Sequence, residues 1–213
     1  MARPRNQTNR RRELVAVTAR LLVERGAAGA RLTDIADAAG LTPASISYYY
    51  PNLVELYAET TQTAAAEYIT ARRAHVEACT GPATKLRECL RLGIPMKGEP
   101  SFDATALLLE ITALSTRNHE FDEPADGFMT AQTELFEEII REGMETGDFS
   151  PATDAAQVAR TLLAIEDGLA PSIIRGAITA QDALKTISSA AGTLLGVRPE
   201  STAGAALLGQ AEA

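Results

Sequence analysis

The residues whose chemistry stands out are Thr42, Ala44, Ser45, Ser47, Tyr48 and Tyr49, within the stretch TDIADAAGLTPASISYYYPNLVEL from Thr33 to Leu56. Short and hydroxyl-bearing side chains of this kind suit phosphate oxygens, base edges and thymine methyls. Ahead of them Arg3, Arg5, Arg10, Arg11 and Arg12 form a run without one acidic residue, suited to phosphates or to a narrow minor groove. A single surface arginine is as often solvated as engaged, so the weight rests on the pattern. Tyr48 and Tyr49 are adjacent on one short helix and cannot both turn inward, which leaves Tyr50 as the core member. Thr33 joins the group as the expected cap of the preceding short helix.

Such side chains act only when a scaffold aims them. Hydrophobic spacing is helical nearly throughout and strand-like alternation is absent, so the chain reads as all-α with about nine helices. A first helix is expected over residues 8–25, ended by Gly26 and Gly29. A second carries Ile35, Ala36 and Ala39 and stops at Gly40, which suits a left-handed turn. Thr42 and Pro43 then form an N-cap and N1 pair for a third. Together these make a helix-turn-helix with Ile35, Leu41 and Ile46 as shared core and Ala36 permitting a close crossing. Asn52 with Glu55 opens a long fourth helix, and Gly- and Pro-rich breaks divide the rest into five more. The expected organisation is a DNA-binding head with a basic arm over 1–51, a helical body over 52–198, and a disordered Ala/Gly/Ser/Thr tail over 199–213.

Charge agrees with that division. Of the 213 residues, the first 50 carry eight Arg and four acidic residues while the remainder carries 12 basic and 24 acidic, giving a net −8. A basic head before an acidic body brings one part of the molecule to a polyanion and keeps the rest away. Hydrophobic residues at 46%, with 15 Gly and 10 Pro, exclude disordered and collagen-like chains. Cys79 and Cys89 fit neither a disulfide framework nor zinc-ligand spacing. No stretch is apolar enough for a membrane span and no leader-like segment follows the arginines, so a soluble cytoplasmic protein without membrane partner, metal or cofactor is expected.

Catalytic motifs are absent: no P-loop, GxGxxG, HExxH or GxSxG occurs, and His75 and His119 are the two histidines. Glu166 and Asp167 are adjacent, about 100° apart on a helix, and cannot converge as an acid and base pair; solvated or capping roles are expected. Asp103, Glu110 and Arg117 read as a polar outer stripe. No catalytic residue is assigned.

The head resembles the TetR family of transcriptional regulators, whose pattern is T-x-IA-x-x-AG-(V/L)-(S/T)-x-x-x-(L/I)-Y-x-(Y/H)-F-x-x-K-x-x-L behind a basic first helix. Thr33, Ile35, Ala36, Ala39, Gly40, Leu41, Thr42, Ile46, Tyr49, Tyr50 and Leu56 fall on it, Tyr50 in place of Phe. Two positions depart: Ser47 stands where many members carry Tyr, and Leu53 where most carry a Lys on the DNA backbone. The later segments REGMETGDFS and ARTLLAIEDGL also resemble the family.

The resemblance implies a dimer on a palindromic double-stranded DNA operator, a repressor released by a small-molecule effector, and Arg10, Arg11, Arg12, Thr33 and the Thr42 to Tyr49 face as DNA-binding residues. The alternative is a helical dimeric binding module with a degenerate head. On the fourth helix Tyr57, Thr60, Ala64, Tyr68, Ala71 and His75 recur at three and four and share an expected inward face. The resemblance makes Tyr57, Tyr68 and His75 effector-pocket candidates, with Phe102, Phe121, Phe128, Met129, Phe136 and Met144 as apolar lining. It also makes Val158, Leu162, Ile165 and Leu169, with Leu184, Ile187, Ala191 and Leu194, the expected dimer interface, Gly168 allowing a close crossing.

Overall fold

The computed structural model describes residues 3–115, 119 and 122–208. Among them are ten helices and no strands: α1 (Arg3–Gly29), α2 (Leu32–Ala39), α3 (Pro43–Tyr49), α4 (Leu53–Glu77), α5 (Pro82–Gly93), α6 (Pro100–Ser115), α7 (Asp122–Thr146), α8 (Ala155–Ile174), α9 (Ala180–Leu194) and α10 (Thr202–Leu208). The all-α reading stands, with one helix more than the nine expected. Two compact units emerge, residues 1–67 with 103–127, and residues 68–102 with 128–213. They do not coincide with a cut at 51/52, since the first part of α4 and most of α6 group with the head.

In the first unit, Leu14, Leu21, Leu22, Ile35, Ala36, Ile46, Tyr50, Leu56, Tyr57 and Leu107 form one buried core. The expected end of the first helix at Gly26 appears as a break, with φ 66 and ψ 172, inside an otherwise continuous α1. An amide freed by such a break needs an acceptor. Glu110 supplies it, its carboxylate accepting from the Ala27 N–H at 3.1 Å. Glu110 is therefore no member of a solvated stripe, and Arg117 lies outside the described residues. Tyr57 donates its hydroxyl to the Ala30 carbonyl from the other side, and burial pushes its phenol up to about 12.

Gly40 takes the left-handed conformation expected of it, at φ 65 and ψ 35. Thr42 caps α3 as expected, its hydroxyl accepting from the Ser45 N–H at 3.2 Å. The cap of α2 differs: Arg31 holds the N-cap position and Asp34 accepts its N–H at 3.1 Å, so Thr33 lies inside the first turn. The carboxylate at the third position of the helix takes the capping role and also meets the positive end of the helix dipole.

In the second unit the core runs through Val76, Leu86, Leu90, Phe136, Ile140, Val158, Leu162, Ile187 and Leu195. The disorder expected over 199–213 does not hold for Thr202–Leu208. This is α10, which packs on α5 and α9 with Ala203 and Leu207 buried. Gly204 lets α10 fold back against the turn that precedes it, since a Cβ there would sit 2.1 Å from the Arg198 carbonyl oxygen. Residues 209–213 lie outside the described residues.

Candidate nucleic-acid interface and buried polar centre

Seven residues are too few for a helix to be stable alone, so α3 depends on what it packs against. Ile46 and Tyr50 are buried beneath it, and burying Ile46 alone contributes roughly 1.5–3 kcal/mol. The opposite face is open: Thr42, Ala44, Ser47 and Tyr48 are exposed, Ser45 and Tyr49 partly so, and Thr33 is exposed on α2. Tyr48 is 70% exposed and meets Tyr49 edge to face, ring centroids 5.2 Å apart. Ser47 turns its hydroxyl back onto the Pro43 carbonyl at 3.2 Å. Leu53, at the first position of α4, packs against the core of the head.

Sequence alone treats the arginines as one arm, but they begin a helix and differ in what they hold. Arg10 pairs with Glu13, Arg12 is exposed, and Arg11, partly exposed, reaches across to α3 and α4. Its guanidinium donates to the Tyr49 carbonyl at 3.0 Å and to the Glu59 carboxylate, and stacks 4.3 Å above the Tyr50 ring. The Glu59 hydrogen bond raises the Arg11 pKa above its ordinary value. Nothing is described of the Arg3 and Arg5 side chains.

The body also holds a buried polar group centred on Arg72, a residue to which the sequence reading gave no role. Arg72 on α4 is buried and meets Glu166 on α8 through two contacts, Nη1 to Oε1 at 2.9 Å and Nη2 to Oε2 at 2.6 Å. Its other donors go to the Gln132 side chain of α7 at 2.8 Å and to the Cys89 carbonyl of α5 at 2.7 and 3.1 Å. Desolvation alone would lower its pKa, but Cys89, Glu166 and Tyr68 hold it well above the ordinary value. Burial pushes the Cys89 thiol up to about 11, which leaves it inert. Glu166 is therefore not solvated, as expected from sequence, but half of a buried ion pair. Asp167 next to it reaches the surface, yet the atoms crowding its carboxyl and the adjacent Glu166 charge push it up to about 6, with Arg72 opposing.

The pattern "Bacterial regulatory proteins, tetR family" matches residues 14–60, and "BetI-type transcriptional repressor, C-terminal" matches residues 82–196. The chain belongs to the TetR family. Solved structures share the fold. A TetR transcription regulator from Haloarcula marismortui is 25% identical, with 88% of this chain and 99% of that one covered and a TM-score of 0.77. A Saccharomonospora viridis protein described as a transcriptional regulator, in complex with choline, is 22% identical over 85% and 95%, TM-score 0.80. AibR, in complex with isovaleryl coenzyme A and operator DNA, is 19% identical over 89% and 100%, TM-score 0.65. No protein in the curated comparison matches.

Membership in TetR makes the chain a DNA-binding transcription regulator and not an enzyme. Among the described residues no cluster of His, Cys, Asp and Glu could hold a metal ion, and no helix is long and apolar enough to cross a membrane. The effector candidates do not all come together. Tyr68 and Phe128 meet edge to face at 5.8 Å, Phe136 is buried with Arg72 above its ring at 5.0 Å, and Phe102 is half-buried. Tyr57 instead belongs to the core of the head. His75 and Ala71 are exposed, because α4 turns Arg72 and Val76 inward in their place. Met129 and Met144 are each 42% exposed, and Phe121 lies outside the described residues. Of the expected interface stripe, Val158, Leu162, Ile187 and Ala191 are wholly buried within the single chain. They are core residues, which leaves Ile165, Leu169, Leu184 and Leu194, half-buried, to face outward.

Proposed function

We propose that this TetR protein is a cytoplasmic homodimeric repressor that binds an inverted-repeat operator and leaves it when a small molecule occupies the body. The observation that carries the reading is the open face of α3, where a capped N-terminus presents Thr42, Ala44 and Ser45 ahead of Tyr48 and Tyr49. In helix-turn-helix proteins the N-terminal residues of the second helix reach base edges, and a two-fold dimer presents two such helices to a palindrome. Thr42, Ala44 and Ser45 read bases in this scheme; Ser47, Tyr48, Tyr49, Thr33, Arg10 and Arg12 lie along the backbone.

Release needs only that the effector prefer a conformation whose recognition helices are wrongly spaced for the operator. Tyr68, Phe102, Phe128 and Phe136 are the body residues proposed to meet the effector. The choline and acyl-coenzyme A complexes of similarly folded proteins support small-molecule control without naming the molecule here. The second reading, a dimeric binding module with a degenerate head, draws on Ser47 and Leu53, whose side chains are turned onto the protein itself. Selection of bound fragments from genomic DNA separates the two. The operator reading requires enrichment of an inverted repeat, and its absence favours the module.

A further inference from the structure

Gln7 and Arg11 are one turn apart on α1 and therefore share a face. Both reach the last turn of α3. Gln7 donates its side-chain N–H to the Tyr48 hydroxyl at 3.0 Å across 41 residues of sequence. Arg11 donates to the carbonyl of the next residue, Tyr49, at 3.0 Å, while its other arm holds Glu59 of α4. The end of α3 has carbonyls without helical partners, and a cation placed there satisfies one of them and complements the negative end of the helix dipole. Only a planar fork of five donors can reach a carbonyl, a carboxylate and the Tyr50 face at once.

The direction of the Gln7 bond has a chemical consequence. A phenol that accepts from Gln7 keeps its own hydrogen for an outside acceptor, and Tyr48 is 70% exposed. Ser47, one residue earlier, has spent its hydrogen on Pro43. At the C-terminal end of a recognition helix the nearest DNA acceptors are phosphate oxygens.

We propose that Gln7 and Arg11 of α1 position the recognition helix instead of gripping DNA: Gln7 presents the Tyr48 hydroxyl as a neutral donor to a phosphate oxygen, and Arg11 locks the end of α3 onto α4. The assignment rests on the operator reading. It separates from a phosphate-binding role for Arg11 because each phosphate neutralised by a cation adds about 0.9 to the slope of log affinity against log salt, whereas a neutral phenol and an arginine already paired with Glu59 add nothing.

The experiment is a salt titration of full-length protein on the duplex it selects, followed by fluorescence anisotropy, with thermal melts of every variant. Tyr48→Phe is expected to weaken binding about tenfold, one neutral hydrogen bond in each half-site. Gln7→Ala is expected to weaken it less or equally, and the double variant no more than Tyr48→Phe alone, because Gln7 acts through that hydroxyl. Arg11→Ala is expected to weaken binding with the slope unchanged. Arg11→Lys, which keeps the charge but loses the fork, should fail to restore it. A slope that falls by about 0.9 per half-site in Arg11→Ala, rescue by Arg11→Lys, or additive losses for Gln7 and Tyr48 overturns the proposal. If Arg11→Ala melts before the assay temperature, the Gln7 and Tyr48 cycle and the Arg11→Lys slope decide it alone. A wild-type chain that selects no duplex overturns the operator reading and this assignment with it, an outcome distinct from the others.

Discussion

Arg72 and Glu166, 94 residues apart in sequence, face each other inside the body in a two-pronged ion pair at 2.9 and 2.6 Å. Every Arg72 donor has a partner, among Glu166, Gln132 and the Cys89 carbonyl, so the residue joins four helices at one point. Taking either charge away leaves the other buried and uncompensated. Arg72→Met and Glu166→Leu are each expected to cost about 3–5 kcal/mol, while the double variant recovers most of that loss. Urea denaturation midpoints of the three proteins check this, and a double variant as unstable as the singles would contradict it.

Gly93 lies against the same pair. A Cβ there would stand 2.1 Å from Glu166 Oε2 and 2.5 Å from Arg72 Nη2. Gly93→Ala is expected to destabilise by about 3 kcal/mol, by overpacking and by parting the pair. Gly168, inside α8 with nothing within 4 Å of its Cβ position, is the control. Gly168→Ala is expected to stabilise the isolated chain by about 0.5–1 kcal/mol. The two melting temperatures should move in opposite directions.

Asp167 gives a pH dependence. Its folded-state pKa of about 6 stands above the ordinary aspartate value, so between the two the folded chain binds more protons than the unfolded one. Stability from this group is present at acid pH and is lost as pH rises through about 6. Asp167→Asn is therefore expected to raise the melting temperature at pH 7.5 and to leave it little changed near pH 4. Equal shifts at both pH values would contradict the assignment.

The interface is tested by separating core from surface. Leu162 is wholly buried within one chain, so Leu162→Glu is expected to unfold the body. Ile165 and Leu184 are half-buried, and the pair Ile165→Glu with Leu184→Glu is expected to give a folded monomer. Light scattering and circular dichroism together decide this, and a folded dimer after the paired change removes these residues from the interface.

The head was legible in the sequence because each of its signals is local. Gly40, the Thr42 and Pro43 cap, buried Ile46 and Tyr50, and open Tyr48 all stand where spacing placed them. The polar centre was not, because it is assembled from α4, α5, α7 and α8. On α4 a helical period of 3.6 lets an inward stripe continue from Tyr68 by three or by four residues. Chemistry favours His75 inside and Arg72 outside, yet the structure takes the step of four to Arg72 and then Val76. A buried arginine pays its desolvation only if a carboxylate meets it, and nothing near Arg72 in sequence announces Glu166. The buried tail helix escaped for another reason: its Ala and Gly read as lack of bulk, yet Ala203 and Leu207 are buried and Gly204 leaves room for the turn at Arg198.

In the proposed operator complex the exposed N-terminal face of α3 reads an inverted repeat. Selection from random duplexes, run side by side on the wild type and on Ala44→Arg, tests this. Ala44 is exposed in the first turn of α3, where a longer side chain reaches a different base edge without disturbing the core. The wild type is expected to enrich a two-fold symmetric sequence, and Ala44→Arg one changed at symmetry-related positions in both half-sites. Identical sequences from the two proteins, or no symmetric enrichment from the wild type, would contradict it.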